Sequence, residues 1–122
     1  MADNRSVTLL ASAARTATNS TGDQSNNSWR GVHVIIDVTS ITASPSVVPT
    51  IQGKDEVSGV YYSILVGTAI TATGTTVLKV YPGIGTLAGG AASDVLPSTW
   101  RVTFTHADTD SITYSAAAQM VL

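Results

Sequence analysis

The sequence predicts an all-β fold, a single-domain antiparallel β-sandwich or flattened barrel of about seven strands with an extended N-terminal arm. Three observations lead there. The first is strict alternation in the last quarter of the chain: Trp100, Val102, Phe104 and His106 share one face of a run whose other face is Thr99, Arg101, Thr103 and Thr105. Ile112, Tyr114, Ala116, Ala118, Met120 and Leu122 likewise oppose Thr113, Ser115, Ala117 and Gln119. Successive strand side chains point to opposite faces, so each run has one buried and one wet side. The second is composition: roughly a third of the 122 residues are Val, Ile or Thr, against one Glu and two Lys, a balance that favours sheet over helix. The third is regular punctuation by Gly, Pro, Asn and Asp clusters.

Taken in order, Ser6–Ala13 reads as a strand through Val7, Leu9, Ala11 and Ala13, although Leu9, Leu10, Ala13, Ala14 and Ala17 would also suit a helix face. Residues 16–28 are rich in Asn, Ser and Thr and read as a long polar loop or arm, a kind of segment that is often an interaction element. Trp29–Thr39 is the strongest central strand, with Val32, Val34, Ile36 and Val38 on one side. Ser46–Gly53 follows the Ser44-Pro45 turn, and Pro49 demotes it to an edge or bulged strand. Lys54–Gly59 forms the charged tip of a hairpin leading into Val60–Gly67. Thr75–Tyr81 is a strand stopped by Pro82-Gly83, and 86–93 is a small-residue loop. The final two runs, joined by Ala107-Asp108-Thr109-Asp110, read as a hairpin. Residues 1–28 are a strand plus arm of the same domain whose core is 29–122.

Charged residues are only 11% of the chain, against about 25% in an ordinary soluble domain, while Ser and Thr supply about a quarter. Such a surface suits a protein held in an assembly or exposed outside a cell. A net charge of −2 with scattered basic residues gives no electrostatic case for nucleic acid. No apolar run is long enough for a membrane-spanning helix. With no cysteine there is neither a disulfide nor a thiolate metal site, and robustness in a small domain of this kind usually comes from oligomerisation. The first residues carry no basic segment followed by an apolar stretch, so synthesis in a cytosol without export by the usual route is expected.

No motif carries chemistry convincingly, and neither a catalytic centre nor a cofactor or metal is expected. Gly83-Ile84-Gly85-Thr86-Leu87-Ala88 matches the dinucleotide pattern G-x-G-x-x-A. The following residues make no helix, however, and no acidic residue stands about twenty positions on. Asp108, Asp110 and Ser111 could offer oxygens to a cation, but turn chemistry accounts for them better. His33 and His106 fall in strand patterns without a nucleophile elbow. Asp55 and Glu56 are adjacent on a turn and oppose each other poorly as a glycosidase pair. Asn4-Arg5-Ser6, Asn19-Ser20-Thr21 and Asn26-Asn27-Ser28 fit the glycosylation pattern by chance of composition. Trp29, Tyr61, Tyr62, Tyr81 and Trp100 suit core and interface packing better than a sugar platform.

Several stretches together resemble a family of small tailed-bacteriophage virion proteins. They are Leu9–Thr16, Arg30–Val34 through Asp37–Thr39, Ile51–Asp55 with Ser58–Tyr62, Pro97–Val102 and Asp110–Ser115. The resemblance implies a capsid decoration (cement) role on the outer surface of the shell, with the major capsid protein as partner, often as a homotrimer at local threefold positions. It implies a virion location after synthesis in the host bacterial cytoplasm, and it carries over no catalytic residues. Contact positions come from the residues themselves. The arm offers Arg5, Arg15, Asn19 and Asn26, the start of the central strand offers Trp29, and the hairpin tip offers Lys54, Asp55 and Glu56. Removing residues 2–28 is expected to abolish capsid binding and leave the β domain folded. A tail, neck or head-fibre component and a carbohydrate-binding adhesion module are the alternatives.

Overall fold

The computed structural model describes residues 3–122. The alternating Val and Ile of the long runs sort the chain into two sheets. The strands are β1 (Arg5–Arg15), β2 (Asn19–Ser20), β3 (Gln24–Ser25), β4 (Gly31–Ile41), β5 (Val47–Lys54), β6 (Tyr61–Val66), β7 (Gly74–Val80), β8 (Ala91–Ala92), β9 (Thr99–His106) and β10 (Ile112–Val121). Sheet A has the order β1-β10-β4-β7-β8 and sheet B the order β2-β9-β5-β6, with β3 also on β9. All pairings are antiparallel except β7 with β8. The β-sandwich is therefore as expected, with about ten strands in place of seven. The three extra strands are two residues long and hold no apolar alternation that a sequence pattern could reveal.

The core lies between the inner faces. Sheet A supplies Val32, Val34, Ile36, Val38, Leu78, Val80, Ile112, Tyr114, Ala116, Ala118 and Met120, and sheet B supplies Val47, Ile51, Leu65, Trp100, Val102 and Phe104. Each large side chain fully withdrawn from water contributes about 1.5–3 kcal/mol before the entropy of ordering is subtracted. Phe104 and Tyr114 meet across the layers with ring centroids 5.0 Å apart and planes tilted by 35°, an arrangement the aromatic quadrupole favours over a face-to-face sandwich.

Three expectations are corrected. First, β9 and β10 are not a hairpin. They lie in different sheets, and residues 107–111 form an arch over the end of the core. Alternation is the same for either arrangement, so it could not tell them apart. The arch is tied to the neighbouring β4–β5 arch: Ser44 N donates to Asp110 Oδ2 (3.1 Å), Thr42 N to Ser111 O (2.9 Å) and Ala107 N to Ser46 O (3.0 Å). Second, β5 is an interior strand despite Pro49. Pro49 O accepts from Gly67 N (2.7 Å) just beyond the end of β6, and Val47 exchanges two hydrogen bonds with Ile70. The missing proline N–H thus falls where the ladder has already ended, at no cost to pairing.

Third, the N-terminal segment is not a free arm. β1 runs along β10 from Arg5↔Met120 to Arg15↔Ile112, while β2 and β3 cover the outer edge of β9. Between them Thr21 is buried. Its backbone N–H donates to Val102 O (2.9 Å), and its Oγ1 accepts from Val102 N (3.0 Å). The β domain is therefore not complete without residues 3–28.

Candidate interaction surface

The side chains singled out in the N-terminal segment turn inward. At the end of β1 the Arg15 guanidinium lies 4.5 Å over the Tyr114 ring and donates to Ala11 O (2.7 Å), Ala13 O (3.1 Å) and Tyr114 O. Asn19 Nδ2 donates to the Tyr114 hydroxyl (2.8 Å), and His106 Nε2 is 3.0 Å from the same oxygen. An amide nitrogen can only donate, so the tyrosine hydrogen is left for a neutral His106 Nε2. Burial holds His106 below the ordinary histidine value, opposed by Asp108 and reinforced by Arg15. Burial likewise raises Tyr114. Asn26 locks the next turn: its Nδ2 donates to Trp29 O (2.7 Å) and Leu96 O (2.9 Å), and its Oδ1 accepts from Trp29 N (2.8 Å). Trp29 is half-buried and its indole donates to Asp3 O (2.6 Å). Arg5 alone of this group is exposed.

The β5–β6 hairpin is organised differently. On the outer face of sheet B, Lys54 Nζ contacts Asp23 Oδ2 at 3.0 Å, and the Tyr61 hydroxyl donates to Asp23 Oδ1 at 2.6 Å. The Arg101 guanidinium stacks 3.4 Å over the Tyr61 ring, and its Nε donates to Gln52 Oε1 (2.8 Å). The Tyr61 hydrogen bond, then Lys54, lowers Asp23; Asp23 in turn raises both Tyr61 and Lys54. Asp23 and Arg101 are not singled out as site residues by the sequence, and Tyr61 is read there only as a packing aromatic. The signal is cross-strand: Lys54 pairs with Tyr61 and Gln52 with Arg101, which is visible only once the register is known. At the tip Asp55 serves the turn itself, accepting from Ser58 Oγ (2.8 Å) and Val57 N (3.0 Å), and these bonds lower it. Glu56 is exposed beside Val57.

Of the seven large apolar side chains exposed among the described residues, four belong to this hairpin: Val57 (97% exposed), Val60 (60%), Tyr62 (49%) and Val66 (53%). Tyr62 and Val66 belong to β6, which is terminal in the order of sheet B, and Val57 and Val60 lie in the turn that leads into it. The other edges are blunted by devices that discourage pairing. β1 has an arginine at each end and two register shifts; β8, β2 and β3 are two residues long. β6 reads Tyr-Tyr-Ser-Ile-Leu-Val, without charge or proline, and a single shift at Ile64 is its one irregularity.

The remaining motifs have structural employment. Asp110 N donates to Asp108 Oδ1 (3.0 Å), as expected of a turn. Among the described residues no group of three or more His, Cys, Asp or Glu could hold a metal ion. Comparison with protein-family models, curated proteins and solved structures found no match.

Proposed function

We propose that this chain is a non-enzymatic virion structural protein that binds the outer surface of a tailed-phage capsid and stabilises the shell. The observation that carries the reading is the concentration of exposed apolar side chains on the β5–β6 hairpin beside an open strand edge. That combination suits contact with another protein, since an edge offers main-chain pairing and alternate side chains offer selectivity. The sequence resemblance supports the same reading. So does the sparse charge, which would leave a lattice contact little affected by salt. A hairpin this size makes a modest contact, because association and ordering offset most of the apolar gain. Repetition over a capsid lattice multiplies it.

The test mixes the purified full chain with expanded, undecorated heads and images them by cryo-EM, alongside a Ser63→Lys/Val66→Lys variant. Regular outer-shell density with wild type and its loss with the variant is the expected result. Bare heads, or density only at the unique vertex, would move the assignment to a tail, neck or head-fibre component.

A further inference from the structure

The loop that carries the G-x-G-x-x-A pattern builds one wall of a cavity of about 710 Å3 on the outer face of sheet A. Its floor is Val77, His33 and Val121, and its wall is Ile84 and Leu87. Lys79 stands beside His33, its register partner. The wall is preformed. Leu87 N donates to Ala91 O (3.0 Å), Gly90 N to Leu87 O (2.9 Å) and Gly83 N to Ser93 Oγ (2.9 Å). Gly89, at φ +75°, packs so closely on Thr68 that a Cβ would lie 2.1 Å from its Oγ1. Tyr81 closes one end, its hydroxyl donating to Leu122 O (2.6 Å). Leu87 nonetheless stays 66% exposed.

These features select a ligand. Gly83, Ile84, Leu87, Gly90 and Ala91 already spend their N–H groups within the protein, which takes five of the loop's main-chain donors away from a phosphate. The walls are chiefly aliphatic, and the two ionisable side chains named here are Lys79 and His33, with no carboxylate side chain in the lining. A cavity of a few hundred cubic ångströms or more with apolar walls and a few convergent polar groups is the usual form of a small-molecule site. We infer that this groove binds a free medium-chain aliphatic carboxylate, with the chain against Val77, Ile84, Leu87 and Val121 and the carboxylate at Lys79 and His33. Burial, with Lys79 adding, holds His33 below the ordinary histidine value; an anion bound beside it would raise it again.

The test is an NMR titration of the isotope-labelled full chain with sodium decanoate, decanol and decyltrimethylammonium, each below its micelle concentration. The expected result is a saturable decanoate shift of the Val77, Leu87 and Val121 methyls, with His33 titrating at higher pH when decanoate is bound. Lys79→Gln should weaken decanoate about threefold to fivefold, the size of an exposed ion pair, and leave decanol unchanged. Leu87→Ser should weaken both. The inference is overturned by the absence of a saturable shift, or by equal binding of the cationic amphiphile. It is equally overturned by shifts confined to Val57, Val60 and Val66, or by groove shifts that follow protein concentration without added ligand.

Discussion

Residues 16–28 and the Lys54–Gly59 tip are both polar, turn-rich stretches, and by sequence both are surface elements that could reach a partner. The fold uses them in opposite ways. In the first, Asn19, Thr21 and Asn26 direct their side chains at Tyr114, Val102, Trp29 and Leu96, so the segment closes the domain. In the second, the polar groups of Asp55 and Ser58 bond each other and the local backbone, which leaves Glu56 and Val57 facing water. Composition is silent on this difference. What separates the two is where the backbone hydrogen-bond partners come from, distant strands in one case and the turn itself in the other.

The comparison can be broken most sharply by deletion. Without residues 2–28, β10 loses its neighbour β1 and β9 loses the strands on its outer edge. The truncated chain is expected to lose cooperative unfolding and dispersed NMR signals altogether. If it kept them, the segment would be an appendage after all.

A smaller effect sharpens the same contrast through pH. His106 titrates below its ordinary value of about 6.5 in the folded protein because burial favours its neutral form. The stability this provides is present above the unfolded value and is lost as pH falls through the lowered folded value. His33, also lowered, acts in the same direction. Urea midpoints should therefore fall between pH 7.5 and 5. Tyr114→Phe removes the shared hydroxyl; it should cost about 1–3 kcal/mol at pH 7.5 and leave a shallower pH slope. A midpoint that did not move with pH would detach the Arg15–Asn19–Tyr114 cluster from the argument.

The smallest effect belongs to the tip. Val57→Ser touches a side chain 97% exposed and should change stability by no more than about 0.5 kcal/mol in chemical denaturation. A larger loss would mean that Val57, like Lys54 through Asp23, is tied to the body.

What could be read in advance follows from locality. The inner rows of β4, β9 and β10 were legible because period-two alternation is a property of one strand. The interior position of β5 was not, since Pro49 is harmless only because the β6 ladder stops beside it. The Asp23–Tyr61–Arg101 cluster was equally hidden, as its members come from three separate stretches joined by register. Lys54 was legible as a charged tip residue, whereas its partner Asp23 was not.

The arches have a kinetic consequence. Of the antiparallel partners, only β5 and β6 are consecutive in the chain, while β1 pairs with β10 from Arg5↔Met120 onward. Nearly every native pairing thus closes a long loop before it gains anything, the situation that slows all-β chains to milliseconds or seconds. The β5–β6 hairpin is the one antiparallel pairing that can nucleate locally. On the ribosome β1 must wait, edge open, until β10 has emerged to receive it.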